Sequence, residues 1–96
     1  MSVVEITTFR LGAGVSDEVF LALDKRMQTE LVPNQPGFLR RTTARRADAW
    51  VVVTLWAGEE AAAAFEAATA THEVWRAFLD SVDGASLRSA RYDTLD

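Results

Sequence analysis

The stretch PNQPGFLRR, residues 33–41, sets two prolines and a glycine directly before an apolar pair and an arginine pair. Pro33 cannot continue a helix, and Pro36 biases Gln35 away from helical angles. Gly37 frees the backbone for a reversal. The stretch therefore ends one element and begins another, and Phe38 opens a strand over residues 38–46, FLRRTTARR.

Upstream, Phe20, Leu23, Met27 and Leu31 recur at helical spacing. Ser16 is placed to cap this helix, with Asp17 and Glu18 at its positive end. Before it, residues 3–11, VVEITTFRL, are β-branched and aromatic and read as a strand. Val4, Ile6 and Thr8 share one face of that strand; Glu5, Thr7 and Phe9 share the other. Gly12 and Gly14 end it.

Downstream, Ala47-Asp48-Ala49 turns the chain and 50–57, WVVVTLWA, returns as a third strand. Val51, Val53 and Leu55 make an aliphatic face, whereas Trp50, Val52, Thr54 and Trp56 make an aromatic and partly polar one. Gly58-Glu59-Glu60 opens an alanine-rich helix anchored by Phe65. Thr71 restarts a helix striped by Val74, Trp75, Phe78, Leu79 and Val82. Asp83-Gly84 stops it, and 85–93, ASLRSARYD, is the last strand.

The order is β-α-β-β-α-β with the second helix broken in two. That predicts one α+β domain over residues 1–96, with a ferredoxin-like antiparallel four-stranded sheet and helices on one face. The reading assigns Phe9, Trp50, Val52, Trp56 and Tyr92 to the other face, which is too apolar to leave in water. A second copy of the same sheet is the simplest cover.

Composition bounds the function. A domain of 96 residues buries only about 60–65% of its unfolded surface, so oligomerisation is a route to stability. There is no cysteine, which removes disulfides and thiolate metal sites. The net charge of −4 argues against nucleic acid. Arg40, Arg41, Arg45 and Arg46 alternate between strand faces rather than forming a basic stripe, and read as solvated or ion-paired. MSVVEITTFR is not a signal peptide, and no apolar run approaches the ~20 residues of a membrane span. A soluble, cytoplasmic protein is the expectation, with no phosphate-cradling loop, dinucleotide fingerprint or Ser-His-Asp order.

A few residues carry possible chemistry. His72, the one histidine, is either a base for a phenol or enol or a surface residue helping a helix start. Alone it makes no metal site. Glu5 is a carboxylate among apolar neighbours and needs a partner, with Arg88 or Arg91 the candidates. Thr7 lies beside it as a small polar residue. Trp50 and Trp56 are either walls for a flat ligand or the core of a dimer. Trp75 reads as packing.

Four segments, VVEITTFRL with its glycine turn, QPGFLRR, TLWAGEEA and THEVWRAF, resemble in order those of the dimeric α/β-barrel superfamily, and within it the antibiotic-biosynthesis-monooxygenase-like domain. The resemblance implies two sheets closing face to face in a homodimer, with a pocket between each sheet's inner face and its helices. Some members of this family oxygenate aromatic polyketides without metal or flavin, and others degrade haem. The haem-degrading branch uses an Asn, Trp and His triad. The positions aligned with it here hold Thr7, Phe65 and the region of Phe78 and Leu79, so that activity is set aside. The expectation is a homodimer binding a small hydrophobic or aromatic molecule without cofactor or metal. Trp56 and Phe65 are its expected walls, Thr7 and His72 its polar contacts, and Trp50 a further candidate. Cofactor-independent oxygenation is the enzyme reading, with His72 or Glu5 as base. A non-catalytic ligand-binding or interaction dimer is the rival.

Overall fold

The computed structural model describes residues 1–95. Its elements run β1 (Val3–Phe9), α1 (Asp17–Arg26), β2 (Phe38–Arg46), β3 (Ala49–Trp56), α2 (Glu59–Thr69), α3 (Glu73–Asp80) and β4 (Arg88–Asp93). The strands form one antiparallel sheet in the order β2-β3-β1-β4. This is the expected ferredoxin-like arrangement, with the second helix split between Thr69 and Glu73. No helix among the described residues is long and apolar enough to cross a membrane.

The first helix runs further than Pro33 was expected to allow. A wide turn at Met27–Leu31 and a tight one at Val32–Asn34 carry the helical path onward. Pro33 falls at the start of that last turn, where a missing N–H forfeits no bond. The stop comes at Gln35, extended at ψ 133 before Pro36. Gly37 then adopts φ +81, and a Cβ added there would stand 2.4 Å from the Ala61 Cβ. Strand β2 thus enters so close beneath α2 that only a hydrogen fits. The last strand is also shorter than read, because Gly84–Ser86 form a tight helical turn before Arg88.

One expectation is overturned. Phe9, Trp50, Val52 and Trp56 lie under the helices, not on the uncovered face. Phe9 packs on Phe20 (5.5 Å between ring centroids) and Phe78 (5.7 Å), Trp50 on Phe20 (4.7 Å), and Trp56 on Phe65 (5.0 Å). Strand alternation separates two sets of side chains but does not say which set the helices cover. The larger aromatic area goes to the side that the chain can close by itself. The uncovered face is the aliphatic one, with Val4, Ile6, Val51, Val53 and Leu55 half-buried. Tyr92, opposite Val4 on β4, does lie there and is 56% exposed.

Candidate functional site

The core between sheet and helices is not filled. A cavity of about 40 Å³ is lined by Glu5 and Thr7 of β1, Val52, Thr54 and Trp56 of β3, Arg41 of β2, Phe65 of α2, Trp75 and Phe78 of α3, and Met27 and Val32. A second cavity of about 160 Å³ adjoins it, sharing Glu5, Thr7, Phe65, Trp75 and Phe78, and extends to Ala62, Leu87, Ser89, Arg91 and the surface residue Glu66. An apolar cavity of ~150 Å³ is enough to hold benzene. The space therefore suits one or two rings.

Aromatic side chains supply the walls. Trp56 and Phe65 stand 5.0 Å apart, Phe65 meets Trp75 edge-on at 5.5 Å, and Trp75 lies nearly parallel to Phe78 at 5.9 Å and 14°. Sheet register places the polar groups. Glu5 faces Thr54 on one side and Arg91 on the other, and Thr7 sits between Val52 and Ser89. Thr7 Oγ1 and Ser89 Oγ share a hydrogen bond of 3.0 Å.

Arg91 answers the question of a partner for Glu5. Its Nε donates to Glu5 Oε2 at 2.9 Å, Nη1 to Glu59 at 2.8 Å, and Nη2 approaches Glu66 at 3.3 Å. The Glu5 hydrogen bond, more than any other contact, raises the arginine pKa above its already high ordinary value. Glu5, Glu59 and Glu66 together thus surround one permanent cation at the edge of the second cavity.

Arg41 was expected among solvated or ion-paired arginines; it is ion-paired, but with a side chain only 3% exposed. The β2–β3 register slips between Phe38 and Arg40, leaving Leu39 as an extra, exposed residue. Such a bulge re-aims the residues after it. Both Phe38 and Arg41 consequently face the helices. Arg41 Nη2 donates to Asp24 of α1 at 2.8 Å, and Nη1 donates to Gln28 at 3.0 Å and Thr43 at 3.3 Å. A buried guanidinium requires such partners, because an unpaired charge is costly away from water.

The structure brings Glu5, Thr7, Trp56 and Phe65 together around one cavity, and leaves His72 and Trp50 outside it. His72 is exposed and caps α3, its Nδ1 accepting the Val74 N–H at 3.1 Å. That lone pair is committed to the helix start. Trp50 belongs to the opposite end of the core, beneath Phe20, with the Arg45 guanidinium 5.3 Å from its ring centroid. Sequence reasoning missed Arg41, and it took Trp75 for packing alone. Among the described residues no group of three or more His, Cys, Asp or Glu side chains is placed to hold a metal.

No family model and no curated protein matches the chain. Solved structures do. The chain superposes on SnoaB, a cofactor-independent oxygenase from Streptomyces nogalater, with a TM-score of 0.83 at 17% identity, covering 99% of this chain and 94% of that one. A candidate antibiotic biosynthesis monooxygenase from Nitrosomonas europaea matches with a TM-score of 0.68 at 22% identity, over 98% and 99% of the two chains. MhuD, a haem degrader from Mycobacterium tuberculosis with two haems bound in its active site, matches with a TM-score of 0.69 at 26% identity, over 97% and 95%. The chain has the ferredoxin-like α+β fold of these antibiotic-biosynthesis-monooxygenase-like proteins, as the resemblance of its segments implied.

Proposed function

We propose that the protein is a homodimer that binds a small, flat aromatic molecule in the inner cavity and oxygenates it without metal or flavin. The observation that carries this reading is the cavity itself. It is lined by Trp56, Phe65, Trp75 and Phe78, holds Glu5 paired to Arg91, and occurs in the fold of a cofactor-independent oxygenase.

The residues can support such a reaction. Trp56, Phe65 and Trp75 hold a ring in place and keep water out. Glu5 takes a proton from an acidic C–H beside a phenol or carbonyl. The resulting enolate passes one electron to dioxygen, the two radicals join in a C–O bond, the peroxide takes back the proton, and the O–O bond breaks as the second hydrogen of that carbon leaves with water, giving a ketone. Two hydrogens and two oxygen atoms are thereby accounted for without a further reductant. His72 is not assigned as the base, because its free lone pair caps α3. Haem degradation is not assigned either. The positions aligned with the triad hold Thr7, Phe65 and the region of Phe78 and Leu79, which line the two cavities but offer no histidine.

Titration with phenols, quinols and polyketide-like aromatics, followed by tryptophan fluorescence and an oxygen electrode, tests the proposal. Binding with oxygen uptake that Glu5→Gln abolishes is the expected result. Binding without uptake at any pH from about 6 to 9, which brackets ordinary phenol and imidazole chemistry, favours the non-catalytic ligand-binding dimer. No binding by any of them sinks the pocket reading.

A further inference from the structure

An open surface hollow of about 260 Å³ is lined by Glu5, Glu66, Ser89, Ala90 and Arg91. Glu5, Glu66, Ser89 and Arg91 also line the inner cavity of about 160 Å³. Hollow and cavity therefore meet at one rim, between β4 and α2. Two larger hollows of about 380 Å³ each, one beside Trp50 and one beside Thr8, share no residue with either inner cavity. Arg91 spans the rim unequally. Its Nε holds Glu5 of the sheet at 2.9 Å, where the two side chains are 22% and 18% exposed. Its grip on α2 runs through Glu59 at 2.8 Å and Glu66 at 3.3 Å, whose side chains are 61% and 71% exposed. Exposed pairs are screened and weak, so the guanidinium is held more firmly to the sheet than to the helix. Glu59 and Glu66 stand about two turns apart on one face of α2, with the small Ala62 between them.

We propose that Arg91 is the gate of the inner cavity, a latch that stays on the sheet and lets go of α2 so that a ligand passes between β4 and the helix. This rests on the ligand cavity proposed above, and adds where the ligand enters and which residues set its rate. When Glu59 and Glu66 release the guanidinium, water takes their place on all three groups, so the release costs little. Little apolar area opposes it, because the residue between the two carboxylates is an alanine. Glu5 meanwhile keeps the guanidinium where it was, and the latch closes again on the same partners. A gate of this kind changes entry and exit by the same factor and leaves affinity unaltered, because the open state is a passage and not the bound state.

Toluene is the probe, a single neutral ring of a size that the cavity can hold. Line shapes in ¹H–¹⁵N titrations of the whole chain give its rates of entry and exit. Glu59→Gln with Glu66→Gln is expected to raise both rates together by roughly two- to tenfold, the worth of two exposed ion pairs, with the dissociation constant within about twofold of its original value. The unsubstituted protein supplies a second measurement. Raising sodium chloride from about 0.05 to about 0.5 M should quicken both rates in it and not in the double variant, since salt screens exposed pairs and the variant has lost them. Rates that neither the substitutions nor salt alters overturn the gate and leave the cavity standing, the ligand then entering elsewhere. A changed dissociation constant with an unchanged exit rate overturns it as well. Absence of toluene binding overturns cavity and gate together.

Discussion

Arg91 Nε meets Glu5 Oε2 at 2.9 Å across the β1–β4 pair, and the same guanidinium reaches Glu59 and Glu66 on α2. One side chain therefore ties the sheet to the helix that walls the cavity. Glu5→Gln keeps the shape and a hydrogen bond but removes the carboxylate proposed as the base. Oxygen uptake should disappear while ligand affinity stays within about threefold, since proton abstraction matters in the transition state rather than in binding. Arg91→Met should instead destabilise the fold by about 2 kcal/mol, as expected for a charge-assisted hydrogen bond at a largely buried position, measured by urea unfolding.

Val53 faces Ile6 and Thr42 on the side of the sheet away from the helices, and Val52 faces the cavity. The two neighbours should respond differently to a charge. Val53→Asp should yield a folded monomer by sedimentation, because a charge at the proposed dry sheet–sheet contact costs several kcal/mol. Val52→Asp should unfold the chain. A stable monomer for the unsubstituted protein at micromolar concentration would falsify the barrel dimer.

Gly37→Ala should cost about 1–3 kcal/mol, since it meets both a positive φ and a backbone-close neighbour. Adding Ala61→Gly removes the 2.4 Å collision but not the φ strain, so the pair should recover only part of the loss. Thermal melts of the three variants separate the two contributions. Full recovery would mean that the collision alone demands glycine.

His72→Ala should lower stability by about 1 kcal/mol through loss of the α3 cap. His72→Asn, a strong capping residue, should restore it. Neither change should alter oxygen uptake or ligand affinity. Lost uptake with normal stability would return the role of base to this histidine.

Much of the architecture was legible. Helical spacing from Phe20 to Leu31, the Pro-Gly break and the alternation of WVVVTLW place the elements correctly, because each pattern follows from local backbone geometry. Glu5, Thr7, Trp56 and Phe65 meet around the cavity for the same reason, since strand period and helix anchor put them on facing surfaces. What local pattern cannot say is which sheet face the helices choose, and Phe9, Trp50, Val52 and Trp56 were misassigned on that ground. Arg41 was hidden by the bulge at Leu39, which shifts the alternation by one residue and leaves no mark in composition. His72 shows the opposite limit. Its residue type invites catalysis, but only coordinates reveal that its lone pair is already engaged.

Helix α2 buries only Ala62, Phe65 and Thr69, since alanine offers little area to grip. Its remaining hold on the sheet includes the screened, partly exposed contacts from Arg91 to Glu59 and Glu66. Segments so lightly anchored open at a fraction of the global unfolding free energy. The amides of α2 should thus exchange with deuterium well before those of β1 and β3, and raised salt should hasten them. If the proposed ligand seats against Phe65, it should slow the same amides, and opening of this helix would then be the route by which it enters and leaves.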